Sequence, residues 1–437
     1  VGLRQTQHQG ALVRVFLLLV VGFIGLARAE DSEVEAWWKG AGAAGDLLGV
    51  REPLEDHGLT LRGRWRGIYF GILSSEKGSG NAFSQELVFG ADLDLAKLSG
   101  WSGLDGLVAF GDVRWRDTGH YINPNEYVEA DRLFGPSRIV SGRGWRLLAF
   151  GLRYVTPEMF GAEDFLTLTA GWLRPQQEFA LSTLSNLFAN NAMGSGRGLG
   201  GNIPFSSSFS SWGGMVEVKP VSWQYTKAGL FMSYPEATDS DNNGLMFQGD
   251  PHDPAQNGLY FLVETGVRPE LGPERLTGKY AVGSYYYGEN NDEFGVAKFG
   301  FYAQADQMLW REPSSGEEPS KQGLSIFSLA MFAPESSNDF TFYLQGGFAY
   351  EGAIPTRDAD QLMLGLALGQ YSRFDAREAR EAGEPEAGHT VLLETGYRCR
   401  LNKWLFVQPF AQYIAQPDGT TTVANAAILG LFFGADF

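Results

Sequence analysis

Leu59-Thr60-Leu61-Arg62-Gly63-Arg64-Trp65-Arg66-Gly67-Ile68-Tyr69-Phe70 decides the fold. In an extended chain Leu61, Trp65 and Tyr69 share one face, and Arg62, Arg64 and Arg66 share the other. A soluble core has no place for that second face. Lipid on one side and water on the other do, which is the alternation of a transmembrane barrel strand. The next segment repeats it, with Leu87, Phe89, Ala91, Leu93 and Leu95 opposed to Glu86, Val88, Gly90, Asp92 and Asp94. A third sets Leu107, Ala109, Val113 and Trp115 against Phe110, Asp112, Arg114 and Arg116.

Working outward, the same period predicts strands near 145–155, 165–174, 211–219, 222–234, 258–268, 276–288, 296–310, 321–333, 340–351, 360–371, 389–399, 404–416 and 426–437. With the first three they make about sixteen, an even number that returns both termini to one side and leaves room for an aqueous channel. Links alternate in length. Short ones (Leu98–Gly103, Lys219–Val221, Arg268–Arg275, Arg400–Lys403) interleave with long ones at 117–144, 175–210, 235–257 and 372–388. The alternation weakens at 311–320 and 334–339, where the nominal turn is longer than the nominal loop. The reading is all-β: an antiparallel transmembrane barrel of the outer-membrane type.

Composition agrees. The chain holds 57 Gly, 14% aromatic and 44% hydrophobic residues, yet its mean hydropathy is slightly negative. Hydrophobicity is hidden at every second position rather than gathered into helices. The one long apolar run, Val15 to Ala27, follows Arg4 and Arg14 and precedes Ala27-Arg28-Ala29. It is too short to span a bilayer and fits a secretory signal peptide over 1–29. Residues 30–58 then form an expected periplasmic amino-terminal segment with a short helix within Leu47–His57, and the barrel occupies 59–437.

The net charge is −17, and −20 once the leader's three Arg are removed, so nucleic acid is excluded as a partner. Cys399 is the only cysteine, which rules out an internal disulfide. His57, His120, His252 and His389 lack ligand spacing, and no nucleophile stands in a recognisable catalytic setting, so neither an enzyme nor a cofactor is expected. Gly196-Arg197-Gly198-Leu199-Gly200-Gly201 matches a dinucleotide pattern only formally, because no βαβ unit surrounds it. Asp239, Asp241 and Asn243 are similar to the start of a calcium loop, a weak candidate without flanking helices.

Several ordered motifs carry a resemblance. These are Pro175-Gln176-Gln177-Glu178-Phe179-Ala180, Asn186-Leu187-Phe188-Ala189-Asn190-Asn191-Ala192, Asn202-Ile203-Pro204-Phe205 and Ser211-Trp212-Gly213-Gly214-Met215-Val216-Glu217-Val218-Lys219-Pro220. Tyr225-Thr226-Lys227-Ala228-Gly229-Leu230, Asp241-Asn242-Asn243-Gly244, Gly300-Phe301-Tyr302-Ala303-Gln304-Ala305-Asp306-Gln307-Met308 and Val407-Gln408-Pro409-Phe410-Ala411-Gln412-Tyr413 follow in order. Together they resemble the carbohydrate-selective porins, the OprB family. The resemblance implies a sixteen-stranded barrel narrowed to a charged and aromatic eyelet through which monosaccharides such as glucose diffuse passively, in the outer membrane of a Gram-negative bacterium. One departure is local: the family's Asp-Trp-Gly-Gly-Leu-Arg run is Asp46-Leu47-Leu48-Gly49-Val50-Arg51 here.

A sugar offers hydroxyls in a fixed array, so a selective pore needs rigid donors and acceptors, which guanidinium forks and carboxylates supply. Mid-depth positions on the first three strands nominate Arg64, Arg66, Asp112 and Arg114 as eyelet residues, with Glu86 and Arg116 above them. The segment near 175–210 is expected to fold inward, with Phe188, Asn190 and Asn191 as constriction candidates. Trp172 lies on the apolar parity of its strand and is expected to face lipid. The last strand puts Leu429, Leu431, Phe433 and Phe437 on one face, and its terminal aromatic resembles the signal read by barrel insertion machinery. The readings that compete with a sugar channel are a weakly selective general porin, an outer-membrane adhesin and a barrel hydrolase.

Overall fold

A computed structural model describes Gly40 and residues 42–45, 49–118, 122–131, 133–139, 142–205, 209–233, 243–247, 258–288, 297–313 and 319–437. The expected leader, Leu47 and Leu48, and the calcium-loop candidates Asp239 and Asp241 lie outside the described residues. Sixteen long strands are present: β1 (Leu59–Ser74), β2 (Gly80–Asp94), β3 (Leu107–Thr118), β4 (Gly144–Val155), β5 (Leu166–Leu173), β6 (Ser211–Val221), β7 (Gln224–Ser233), β8 (Gly258–Val267), β9 (Leu276–Gly288), β10 (Lys298–Arg311), β11 (Gly323–Phe332), β12 (Phe340–Glu351), β13 (Gln361–Tyr371), β14 (His389–Arg400), β15 (Leu405–Ala415) and β16 (Ala426–Asp436). Each pairs antiparallel with its sequence neighbours, and β1 closes the barrel by pairing with both β2 and β16. A two-residue ladder at Glu270–Leu271 extends the β8–β9 hairpin.

Closure gives each strand a hydrogen-bonded neighbour on both sides, so the ladder satisfies backbone groups within the ring and leaves no free sheet edge. The seam runs Arg64↔Asp436 through Ser74↔Ala427, and the Phe437 amide continues it by donating to the Gly63 carbonyl at 2.8 Å. Alternation is as sharp in space as in sequence. On β16 Leu429 is 52% exposed and Ile428 1%; on β1 Tyr69 points outward while Ile68 and Phe70 are buried inward. In β4 one extra residue, Leu148, bulges between the pairs Asp112↔Ala149 and Val113↔Leu147. The bulge shifts parity, so Trp145 and Leu152, seven residues apart, both face outward.

Links at the end carrying β1's start and β16's finish are mostly short, whereas the strand order places the long connections β3–β4, β5–β6, β7–β8 and β13–β14 at the opposite end. The exception read from sequence is present too: 312–322 is longer than 333–339, its successor at the loop end. The helix Arg51–Asp56 leads into β1.

Two of the long links turn inward and fill the lumen toward the loop end. Val128, Leu133, Phe134 and Ile139 from one, and Phe179, Phe188, Met193, Leu199 and Phe205 from the other, form one apolar cluster with Ile68, Phe70, Phe340 and Tyr343 of the wall. Lumen-facing glycines make room for aromatic neighbours. A Cβ at Gly434 would stand 2.0 Å from the Phe406 ring across the β15–β16 pair, and one at Gly430 2.2 Å from Phe410.

Trp172 corrects a sequence expectation. It has the outward parity of Leu168, yet it is fully buried rather than lipid-exposed. Residues 243–247 lie over this part of the wall: the Asn243 carbonyl accepts the Leu147 amide at 2.9 Å, and Phe247 packs edge-on to Trp172 at 5.2 Å. Asn243, the one calcium-loop candidate among the described residues, contributes this backbone carbonyl.

Candidate functional site

Register places the charged wall. Arg66, Glu86 and Arg116 are direct cross-strand neighbours on β1, β2 and β3, and Arg64, Val88 and Arg114 form the adjacent row. Arg116 Nη2 donates to Glu86 Oε2 at 2.6 Å, and Arg64 Nη2 lies 3.8 Å from Glu86 Oε1. Arg66 Nη2 reaches across the seam to Asp436 Oδ1 at 2.6 Å. Asp112, one row further on, lies within 3.5 Å of Arg62 and 3.4 Å of Arg174.

The inward segment after β5 faces this wall and is held by its own backbone. Glu264 on β8, fully buried, accepts the Ala180 amide at 2.7 Å together with the hydroxyls of Tyr225 and Tyr302, and pairs with Lys227 at 3.1 Å. Glu394 on β14 accepts the amides of Ala189 and Asn190 at 2.6 and 2.9 Å. Lys279 donates to the Leu181 carbonyl at 2.6 Å, and Arg398 and Gln408 donate to the Leu187 carbonyl at 2.9 and 3.0 Å. Charged acceptors and donors buried in the lumen wall thus fix a segment that has almost no regular secondary structure.

Wall and segment enclose a cavity of about 710 Å³, within the range of small-molecule sites. Among the described residues, nine arginines line it (Arg64, Arg66, Arg114, Arg116, Arg138, Arg174, Arg197, Arg398 and Arg400) with two glutamates, Glu86 and Glu351. Arg138 donates to the Asn186 carbonyl at 2.7 Å, to its side-chain oxygen at 2.9 Å and to the Phe188 carbonyl at 3.1 Å. Burial pushes the Arg138 and Arg174 guanidiniums down to about 10, against the pull of Glu86 and Asp112, so both stay cationic at neutral pH. On the β15–β16 side Phe406 and Phe432 pack edge-on at 5.3 Å, and the Arg398 guanidinium lies 4.2 Å over the Phe406 ring.

The structure brings Arg64, Arg66, Glu86, Arg114 and Arg116 together on the cavity surface, with Asp112 behind them as the partner of Arg174. Asn191 also lines it. Phe188 and Asn190 face the wall instead. Phe188 packs on Phe327 at 5.6 Å, and Asn190 donates to Gln412 at 3.3 Å, because Glu394 takes the consecutive amides of Ala189 and Asn190 and turns these side chains away. Sequence reading missed Arg398 and Arg400, although they repeat the inward parity of Glu394 on β14. Arg138, Arg174 and Arg197 had no such signal, since they reach the cavity from irregular links. Among the described residues no three His, Cys, Asp or Glu side chains are grouped as a metal site.

The family model described as "Carbohydrate-selective porin, OprB family" matches residues 79–437. The chain belongs to that family. The protein "Porin B" of Pseudomonas aeruginosa is 23% identical over 448 residues, covering 95% of each chain. Among solved structures, the high-pH structure of Pseudomonas putida OprB covers 91% of this chain and 99% of its own, with a TM-score of 0.77 at 22% identity. The low-pH structure of the same protein gives a TM-score of 0.56 at 19% identity. The fold likeness thus spans the barrel, and the OprB family is one of channels rather than of enzymes. Fold class and family read from the alternation and the ordered motifs are both borne out.

Proposed function

We propose that this OprB-family barrel is a passive outer-membrane channel that selects monosaccharides at the cavity lined by Arg64, Arg66, Glu86, Arg114 and Arg116. The observation that carries the reading is the cavity itself: rigid guanidinium forks on one wall, a pinned segment opposite, and the Phe406–Phe432 edge between them. Forks and carboxylates meet hydroxyls, and a flat ring meets the apolar face of a pyranose. In this reading residues 1–29 are the export leader, 30–58 remain in the periplasm, and lipid meets the ring of outward apolar side chains. Phe437, whose amide extends the seam on Gly63, is the feature the insertion machinery reads before the barrel closes.

Bilayer conductance with a panel of sugars tests the eyelet. Glucose is expected to block ion current through the wild type, and the block is expected to weaken in Arg64→Ala and Arg114→Ala. An unchanged block in both variants would remove these residues from the eyelet.

A further inference from the structure

A sugar hydroxyl donates one hydrogen bond and accepts others, so a site that binds a neutral sugar needs acceptors as well as donors. Guanidiniums supply donors alone. Two carboxylates line the cavity among the described residues, Glu86 and Glu351. Glu86 is engaged within its own wall: Arg116 donates to its Oε2 at 2.6 Å, and Arg64 lies 3.8 Å from its Oε1. Several amide oxygens are taken in the same way. Asn186 accepts from Arg138, Asn191 from Arg197, Gln177 from Arg174 and Gln408 from Arg398. A hydroxyl hydrogen brought against these groups meets oxygens already bonded to guanidiniums, and a donor left unpaired in a confined site costs affinity.

Glu351 is placed differently. It ends β12 and pairs directly with Gln361 on β13, which in turn pairs with Arg398 on β14. Gln361 Nε2 donates to Glu351 Oε2 at 3.0 Å, a bond that orients the carboxylate without cancelling its charge. Among the described residues Glu351 forms no ion pair. The same stretch of wall carries Arg398 and Arg400, both lining the cavity, and the Phe406 ring, whose centroid is 4.2 Å from the Arg398 guanidinium. Acceptor, donors and aromatic edge therefore stand on neighbouring strands, β12 to β15.

We infer that Glu351 is the residue that accepts hydrogen bonds from sugar hydroxyls, with Gln361 as its positioning residue. The inference rests on the carbohydrate-channel reading above and adds a second wall to it. Hydroxyl oxygens accept from the guanidiniums of β1 and β3, and hydroxyl hydrogens are donated to Glu351. A solute of the same size that cannot donate is then held less well, so the two walls together read hydroxyls rather than bulk. A carboxylate makes a charge-assisted bond, roughly twice as strong as a neutral one. Gln176, whose nitrogen donates to the Ser195 carbonyl, offers only a neutral amide oxygen, the weaker acceptor.

The test is block of single-channel KCl current by D-glucose and by its 2-, 3-, 4- and 6-deoxyfluoro analogues, in which fluorine replaces one hydroxyl and cannot donate. For at least one position the analogue is expected to block the wild type on the order of 10-fold less tightly than glucose, the loss of one hydrogen bond to a charged group. Glu351→Ala should weaken glucose block by a similar factor and leave that analogue's block unchanged, so that the two become equal. Glu351→Gln, which keeps an acceptor oxygen, should restore part of the difference. Gln361→Ala should reduce the difference and add nothing in the Glu351→Ala background. Retained KCl current reports an intact barrel, and the wild-type analogue series serves where a variant fails to insert. No analogue weaker than glucose in the wild type overturns the inference and spares the channel reading. The same holds if glucose and every analogue lose block by one common factor in Glu351→Ala. If glucose does not block the wild type while KCl is conducted, the carbohydrate reading itself fails.

Discussion

Glu264→Ala is the substitution that most sharply separates the barrel from its constriction. Glu264 sits on β8, fully buried, and holds Lys227 at 3.1 Å, the Ala180 amide at 2.7 Å and the hydroxyls of Tyr225 and Tyr302 at 2.9 and 2.8 Å. Removing it leaves Lys227 buried without its carboxylate and frees the start of the inward segment. Breaking a buried pair from one side costs about 3–5 kcal/mol, which is a factor on the order of 10²–10⁴ in the ratio of released to seated segment. The β8 ladder to β7 and β9 is backbone-made and survives. The barrel is therefore expected to insert and resist denaturation in detergent gels, while single-channel conductance rises, becomes noisier and loses sugar block. Glu264→Gln, which keeps an acceptor for Ala180, should show a smaller effect. Conductance and sugar block identical to wild type in Glu264→Ala would refute the claim that this carboxylate seats the constriction.

Other expectations follow from single contacts. Gly434→Ala puts a Cβ 2.0 Å from the Phe406 ring, which must swing away from Arg398; a loss of about 1–3 kcal/mol in urea unfolding is expected, together with weaker sugar block. Leu429→Arg places a charge on the lipid face of β16 and should cost about 2–4 kcal/mol in insertion equilibrium if the residue lies at mid-membrane, read from tryptophan fluorescence in liposomes. Burial lowers the Arg138 and Arg174 guanidiniums only to about 10, so both stay cationic throughout the physiological range; sugar block of ion current should hold steady from about pH 6 to 9, and a loss of block beginning at neutral pH would contradict their place in the cavity.

The barrel could be read from sequence because the information is local. Each strand declares itself by parity, as Arg62, Arg64 and Arg66 do against Leu61, Trp65 and Tyr69, and no distant contact is needed to see it. The charged wall was legible for the same reason: Glu86 beside Arg116 follows from neighbouring strands and their register. What was hidden is what depends on chain folding back. Arg138 and Arg197 reach the cavity only because the links before β4 and β6 turn inward, and Phe188 and Asn190 face away only because Glu394 takes two amides there. Trp172 kept the parity read for it, but Phe247 covers its face, and a segment far along the chain cannot be foreseen from an alternation.

The central claim is sugar selectivity, and liposome swelling with uncharged solutes tests it most directly. Glucose should enter faster than non-sugar solutes of the same size, such as polyols of matched radius lacking the pyranose ring, and Arg64→Ala with Arg114→Ala should erase the difference. Equal entry of all small uncharged solutes into liposomes holding the wild type would contradict the account and leave a general, unselective pore.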